Sequence, residues 1–159
     1  MKFSSQEEYG LRCLLRLGAA SGPLTIPEIA QLEGISEPYA GKLLRVLRTA
    51  GLVRAERGAV GGYTLARAPE TISTGEALAV LGGRLYEPKF CEEHAGAKAA
   101  EKVCTHSVNC SLRSLWRTLQ LVLDQVLEQT TLRDLLCNEQ TMTEWVGHLV
   151  SASSLAIRQ

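Results

Sequence analysis

The stretch GISEPYAGKLLRVLRTAGLVRAERGAVGGYTLAR, residues 34–67, decides the fold of this chain. Ser36 is a favourable N-cap, and the leucines and valine that follow form the buried stripe of a helix that ends at Ala50 and Gly51. A short strand, a glycine-rich turn at residues 57–62 and a second strand come next without a gap. The stretch therefore predicts a helix that runs directly into a β-hairpin.

Two further helices are predicted before this stretch. An apolar segment at residues 7–20 indicates a first helix, which the breaker at residues 21–23 ends. Residues 25–33 indicate a short second helix, with Pro27 near its start and Gly34 as its stop. The tight turn between the second and third helices is typical of a helix-turn-helix, whose second helix presents its N-terminal residues and exposed face to the DNA major groove. The hairpin that follows is then a β-wing.

The longest helix is predicted at residues 111–129. Its apolar residues are spaced three and four apart, which is the pattern of a helix that packs along a partner helix. This stripe consists of Leu112, Leu115, Leu119, Val122 and Val126. Trp116, Leu123 and Leu127 broaden the stripe, so burial within one subunit is an alternative. Because a protein that binds palindromic DNA needs two-fold symmetry, we expect a homodimer formed through this helix.

Shorter elements complete a mainly α-helical fold. Ser73 or Thr74 caps a fourth helix, residues 131–136 restart a short helix, and residues 145–150 give one weak helical segment. We expect a winged helix-turn-helix domain at residues 1–82, a sensor loop at 83–110, dimerisation helices at 111–137 and a tail at 138–159.

Charge is unevenly distributed along this chain of zero net charge. Residues 38–67 contain six basic side chains, opposed only by Glu56. These are Lys42, Arg45, Arg48, Arg54, Arg57 and Arg67. A basic block on a predicted helix-turn-helix and wing suits the phosphate backbone of double-stranded DNA, although charge alone would fit a solvated helix face as well.

The remaining composition excludes several classes of protein. No apolar stretch approaches the length of a membrane span, and no signal-like start is present, so we expect a cytoplasmic protein without a membrane partner. Five cysteines without secretory context favour buried thiols, metal ligands or redox-active thiols over a disulfide framework. We recognise no nucleotide-binding loop, metalloprotease signature or nucleophile-base set, and we therefore expect no enzyme.

Three cysteines lie before the long helix with the spacing C-x12-C-x5-C: Cys91, Cys104 and Cys110. Thiolates in a loop suit an iron-sulfur cluster, because iron prefers sulfur and a loop can wrap the cluster. Structural zinc or a reversible disulfide between metal-free thiols would fit the spacing too. Cys13 falls inside the first helix and is expected to be a core thiol, whereas Cys137 lies apart and is expected to be structural.

The chain resembles the Rrf-two (Rrf2) family of bacterial winged-helix regulators over residues 1–137, and in particular its IscR-like and NsrR-like iron-sulfur branch. The matching pieces are residues 9–17, Ile29 and Ala30, 34–36 with Tyr39, Leu47 with 50–53, Arg57 and Gly58, 61–63, 65–67, Thr131 and Leu132, and Asp134 and Leu135. The resemblance implies a dimer formed through the long helix, a recognition helix in the major groove and a wing in the minor groove.

The family's pattern also implies which residues contact DNA. Ser36, Pro38, Tyr39 and Lys42 fall at the groove-facing start of the recognition helix, and Arg57 at the wing base with Gly61 and Gly62 in the wing. Arg45 and Arg48 are expected to contact phosphates. Gly41 stands where some members have a base-reading side chain, which is a departure from the family at that position.

The resemblance further implies a cluster, with 2Fe-2S favoured over 4Fe-4S, on Cys91, Cys104 and Cys110. The first gap is longer than is usual in the family, so a set that uses only two of the three is an alternative. Glu8 and His106 are candidates for a fourth ligand, and His94 is a third candidate that ranks after them. Glu33 precedes the turn into the recognition helix and is expected to be an acidic surface residue, with a coupling ligand as the alternative.

The sequence therefore predicts a DNA-binding transcriptional regulator, expected to be a repressor, that senses redox state, nitric oxide or iron through an iron-sulfur cluster. A regulator of the same fold that uses a cysteine thiol switch, zinc or a small-molecule effector is the alternative. An electron carrier or iron-sulfur enzyme is disfavoured, because neither would need a helix-turn-helix and a wing.

Overall fold

The computed structural model describes residues 3–58, 61–87, 89–93, 106, 109–137 and 139–156. Three helices open the chain: α1 at Ser5–Ala19, α2 at Ile26–Glu33 and α3 at Glu37–Thr49. Ser4 and Thr25 form capping boxes at the starts of α1 and α2, and Ser36 caps α3 by accepting from the backbone N–H of Tyr39. Gly34 adopts a left-handed conformation, with a φ of 64°, that turns the chain sharply from α2 into α3. The predicted helix-turn-helix is confirmed.

The wing is a two-stranded antiparallel sheet of β1, Val53–Glu56, and β2, Gly62–Leu65. The register pairs Val53 with Leu65 and Glu56 with Gly62. A third segment joins the sheet at Leu24, which exchanges backbone hydrogen bonds of 3.0 and 2.8 Å with Tyr63. Because Leu24 directly precedes α2, these bonds hold the wing against the helix-turn-helix. The sequence predicts these strands at residues 52–55 and 63–66, so each observed strand lies one residue away from its predicted bounds.

The core lies among α1, α3, β1 and α4, where α4 spans Thr74–Leu81. Its largest fully buried side chains come from the first three helices, from β1 and the residue before it, from the residues before α4, and from the segment after the long helix: Leu14, Ile29, Leu43, Leu44, Leu47, Leu52, Ile72, Leu132, Val53 and Cys13. The leucines of the predicted apolar face of α3 are thus buried and Val46 is half-buried, while the basic residues of α3 lie on the opposite side. Cys13 is a core thiol, as expected.

The C-terminal end of the long helix α6, Ser111–Gln129, is fixed to the start of α4. The carbonyl oxygen of Thr130 accepts from the backbone N–H of Thr74 at 2.7 Å and from its hydroxyl at 2.8 Å. Leu132, the first residue of the short helix α7, Leu132–Leu135, donates its N–H to the carbonyl of Ile72 at 2.9 Å. These residues are buried, so the start of α4 and the end of α6 form one rigid joint.

Two predictions of irregular structure are wrong in extent. Within the predicted sensor loop, Phe90–Glu93 form the short helix α5, and the ring of Phe90 lies 6.4 Å from that of the buried Tyr86. The tail contains α8, Glu139–Ala156, where only residues 145–150 were predicted. Met142, Val146 and Leu149 share one half-buried face of α8, which packs on α6. No helix in the described part of the chain is long and apolar enough to span a membrane.

Candidate nucleic-acid interface and cysteine segment

The exposed face of α3 carries the predicted DNA contacts. Pro38, Lys42, Arg45 and Arg48 are all exposed and recur three or four residues apart, and we name these four residues the recognition face. The opposite side of α3 is fixed in the core by its leucines, so the helix cannot rotate its cations away from solvent. Ser36 is occupied as the N-cap and lies exposed at the start of this face.

A concavity of about 860 Å³ lies between the start of α2, the recognition face and β2. It is lined by Ile26, Pro27, Glu37, Pro38, Gly41, Lys42, Arg45, Arg48 and Tyr63. Three cations and one carboxylate give it a positive balance, which attracts a polyanion. The bridge between Leu24 and Tyr63 joins the residue before α2 to β2, and it thereby fixes the distance between those two sides of the concavity.

Sequence reasoning missed four contributors to this concavity: Ile26, Pro27, Glu37 and Tyr63. Ile26 and Glu37 are the first residues of the two helices in the helix-turn-helix. Because this motif places helix starts next to the DNA groove, it gave a signal for both residues. Tyr63 lies in the wing string, but its contribution depends on the bridge to Leu24, which no local pattern reveals.

Tyr39 lies on the flank of α3 and is not among the residues that line this concavity. Its half-buried ring meets the ring of Tyr9 edge-on at a centroid separation of 6.2 Å. The ring of Tyr9 in turn lies 5.4 Å from the guanidinium of Arg12, which is paired with Glu8. Packing against Tyr9 of α1 therefore contributes to the burial of the Tyr39 ring.

The wing glycines are required by the backbone around them. A methyl group on Gly61 would lie 2.7 Å from the carbonyl oxygen of Glu56 and 2.9 Å from that of Gly58. A methyl group on Gly62 would come within 2.8 Å of two backbone atoms of Leu24. Such approaches are sterically forbidden, so both glycines shape the wing. Arg57 lies exposed where β1 leaves the sheet.

These features are those of a winged-helix DNA-binding protein, and the chain matches known proteins of that kind. A family model described as Rrf2, iron-dependent transcriptional regulator, matches residues 3–138. The chain belongs to the Rrf2 family. Rrf2 proteins are transcriptional regulators that bind DNA, so this chain is a DNA-binding regulator and not an enzyme.

Individual Rrf2 relatives agree with this membership. The transcriptional regulator CymR of Bacillus subtilis strain 168 is 35% identical over 137 residues, which cover 85% of this chain and 89% of CymR. The solved structure of B. subtilis CymR superimposes with a TM-score of 0.65 at 33% identity, covering 86% of this chain and 96% of that one. The structure of T. potens IscR gives a TM-score of 0.66 at 33% identity and covers 86% of each chain.

The cysteine segment, residues 83–110, contains the cysteine and histidine candidates for metal ligands in this Rrf2 protein. Cys91 is half-buried in α5, and its sulfur lies 3.6 Å from the hydroxyl of Tyr86. Cys110 is half-buried at the N-cap of α6, where its sulfur accepts from the N–H of Arg113 at 3.4 Å. His106 is exposed. Cys104 and His94 lie outside the described residues.

The described candidates do not by themselves make up a metal centre. Across the described ranges, no three side chains of the types His, Cys, Asp and Glu are grouped so that they could hold a metal ion. Glu8 lies exposed on α1 and forms an ion pair with Arg12 at 2.7 Å. The donor chemistry of two half-buried thiols, Cys91 and Cys110, suits iron or zinc.

Cys13 and Glu33 are enclosed by the fold, whereas Cys137 is exposed. Burial raises the pKa of the Cys13 thiol from 9.0 to about 12, and the charge of Glu33 adds to that rise. Glu33 is not the surface acid that we expected: its side chain is 5% exposed and pairs with Arg16 of α1. The α1 helix covers it, and this contact is invisible in the local sequence. Cys137 lies exposed just after α7.

Proposed function

We propose that this Rrf2 protein is an operator-binding repressor that places α3 in the major groove and its wing in the adjacent minor groove. The observation that carries the proposal is the recognition face, whose three cations open onto the concavity between α2, α3 and β2. A DNA backbone that runs through this concavity would meet Arg45 and Arg48 as phosphate contacts. Lys42 and the hydroxyls of Ser36 and Tyr39 are then nearest to the base edges.

The wing supplies the second DNA contact in this proposal. Arg57 is exposed at the wing base, and guanidinium groups are favoured in a narrow minor groove. Gly61 and Gly62 act by keeping the tip of the wing thin, as the crowding around both of them requires.

The active form in this proposal is a homodimer joined through α6. Leu112, Leu115 and Leu119 are 60%, 49% and 40% exposed in the single chain, although they form one stripe on α6. A row of exposed leucines along a helix of 19 residues favours a partner helix. Residues 111–137 then serve as the dimerisation unit, residues 1–82 as the DNA-binding unit, and residues 138–159 as an appended tail.

We further propose that the cysteine segment is the sensor, with Cys91, Cys104 and Cys110 as ligands of an iron-sulfur cluster, 2Fe-2S in preference to 4Fe-4S. The iron dependence in the description of the family supports this choice. When bound, such a cluster supplies a centre whose charge changes with its redox state. Glu8 or His106 would complete the ligand set.

A metal-free thiol switch is the second candidate, and a specific comparison favours it. The solved CymR is described as the global cysteine regulator of B. subtilis, and it matches this chain over 86% of its length. In this alternative, thiols of the segment, among them the half-buried Cys91 and Cys110, change state without metal.

The DNA contacts are tested by fluorescence anisotropy with a duplex selected from a random library by the wild-type protein. We expect Arg57→Ala and Tyr39→Ala each to weaken binding to the selected site by at least about tenfold, while Tyr39→Phe isolates the hydroxyl. Arg133→Ala on the distant α7 is the control. Unchanged binding in both alanine variants would contradict the proposed interface.

The sensor is tested on protein purified without oxygen, by ultraviolet-visible spectroscopy with iron, zinc and sulfide analysis. We expect brown protein with equal iron and sulfide, and bleaching in Cys91→Ala, Cys104→Ala and Cys110→Ala but not in Cys137→Ala. Colourless protein without metal would overturn the cluster and favour the thiol switch. Zinc in place of iron would favour a structural site.

A further inference from the structure

A polar chain of contacts joins the cysteine segment to the middle of α6. It begins at Cys91, whose sulfur lies 3.6 Å from the hydroxyl of Tyr86. Tyr86 belongs to the irregular connection between α4 and α5. The residue is nevertheless only 7% exposed, and its ring centroid lies 6.4 Å from that of Phe90. The tyrosine that contacts Cys91 is therefore held firmly.

The same tyrosine is tied to α6 through its backbone. Its N–H donates to the side-chain carbonyl of Gln120 at 2.8 Å, a buried bond across 34 positions of sequence. The amide of Gln120 donates to Asp124 at 2.7 Å, and Asp124 pairs with Arg84, two residues before Tyr86. The polar bonds thus form a closed loop, which consists of Arg84 and Tyr86 from the connection and Gln120 and Asp124 from α6.

Gln120 is an unusual member of α6, a helix that the structure describes in full. It is the single buried residue of that helix, at 6% exposure, while every residue of the apolar stripe is exposed or half-buried. Burying an amide costs free energy unless its hydrogen bonds are made, and here one is made to the cysteine-bearing connection and one to Asp124. A polar contact of this kind fixes one register between the connection and the helix, which simple apolar packing would not specify.

We propose that Tyr86 and Gln120 are positioning residues that couple Cys91 to α6, so that a change at the Cys91 sulfur shifts the long helix and with it the DNA affinity. This inference rests on the proposed function of Cys91 as a sensor residue. Tyr86 senses Cys91 through its hydroxyl, and Gln120 transmits the change through the backbone of Tyr86. Removing either hydrogen bond therefore disconnects the sensor and leaves DNA binding in place.

A double-mutant cycle on the full chain tests the coupling. The Kd for the selected duplex is measured with and without Cys91→Ala in four backgrounds: wild type, Tyr86→Phe, Gln120→Met and Gln125→Met. Tyr86→Phe removes only the hydroxyl, and Gln120→Met keeps the side-chain length without polar nitrogen and oxygen atoms. Gln125→Met makes the same exchange on α6 outside the polar loop and is the matched control.

We expect Cys91→Ala to change the Kd by at least about fivefold in the wild-type and Gln125→Met backgrounds. In the Tyr86→Phe and Gln120→Met backgrounds the change should fall below about twofold. Hydrogen exchange of the α6 amides should respond to Cys91→Ala in the wild-type and Gln125→Met backgrounds only. If Gln120→Met fails to fold, as its melting temperature would show, Tyr86→Phe carries the test alone.

The outcomes separate the two proposals. A full response to Cys91→Ala in the Tyr86→Phe background overturns the coupling and leaves the sensor intact. No response in the wild type overturns both, because Cys91 would then not influence DNA binding. A response abolished only in the Tyr86→Phe and Gln120→Met backgrounds supports the coupling.

Discussion

A methyl group on Gly62 would lie 2.7 Å from the carbonyl oxygen of Leu24. The backbone of β2 therefore passes against the chain just before α2, and Leu24 and Tyr63 exchange hydrogen bonds there. The position of the wing relative to the recognition helix depends on this approach, and a glycine is the residue that permits it.

The exchange Gly62→Ala should release the wing from Leu24. We expect a loss of about 1–3 kcal/mol in the free energy of unfolding, because the methyl group forces two backbone segments apart. Urea denaturation measures the loss, and DNA affinity should fall with it. Gly22→Ala, where an added methyl would meet nothing within 4 Å, is the control. Equal stability of the two variants would show that the wing position does not need the approach.

DNA binding should depend steeply on salt. If a dimer contacts about 6 to 10 phosphates, its affinity falls by about 10³ to 10⁵ between roughly 50 and 200 mM salt. Arg45→Ala removes one proposed phosphate contact per subunit and should lower the slope of log K against log salt by about 0.9 for each phosphate that is no longer neutralised. Anisotropy titrations over a series of salt concentrations give the slope. A slope near zero in the wild type would contradict a phosphate-based interface.

Alkaline pH should destabilise the fold through Cys13. Its pKa is raised from 9.0 to about 12 by burial, so the unfolded chain ionises first and stability is lost as the pH rises from about 9 toward 12. Comparison with Cys13→Ala isolates the effect. Between about pH 8 and pH 10 we expect the wild type to lose about 1–2 kcal/mol more than that variant in urea denaturation. Cys137→Ala, at an exposed position, should track the wild type.

The exchange Leu115→Glu should dissociate the proposed dimer. Two added charges in a helix-helix interface would be unpaired, and sedimentation should show a monomer at micromolar concentration. Leu121→Glu places the same charge on α6 but outside the apolar stripe, at a residue 67% exposed, and should leave the dimer intact. If Leu115→Glu sediments like the wild type, the stripe is not the interface.

The pair of Arg16 and Glu33 should respond asymmetrically to substitution. Arg16→Ala leaves the buried Glu33 carboxylate without its partner, whereas Glu33→Gln leaves an arginine that is about half exposed and can turn to water. We expect Arg16→Ala to cost about 1–3 kcal/mol and Glu33→Gln to cost less. Urea denaturation compares the two. If Glu33→Gln costs more than Arg16→Ala, the burial of Glu33 is contradicted, because a carboxylate that stays costly only when buried would then be reached by solvent after the arginine is removed.

The sequence predicts most of this fold because its signals are local. Caps at Ser36 and Thr25, the turn at Gly34 and the stripe of α6 each specify an element within a few residues. Contacts between distant segments were not predictable in this way. The burial of Glu33 depends on α1, that of Gln120 on Tyr86, and the full length of α8 on its packing against α6.

The candidate site also has parts that local signals predict and parts that depend on contacts between distant segments. The recognition face follows from helical periodicity, so its exposure could be predicted from Pro38 onward. The packing of Tyr39 on Tyr9 could not, because the partner ring belongs to another helix far earlier in the chain. Among the described cysteines, the sequence places Cys91 and Cys110 in one segment but does not give the distance between them.

The joint between Thr74 and Thr130 makes α6 a lever with its pivot at the C-terminal end. Its 19 residues span about 28 Å, and Cys110 caps the opposite end. A tilt of only a few degrees about the pivot would carry that tip by about 2 Å, a distance comparable to the length of a metal-sulfur bond. Cys110 thus stands where a small force turns the helix through the largest arc.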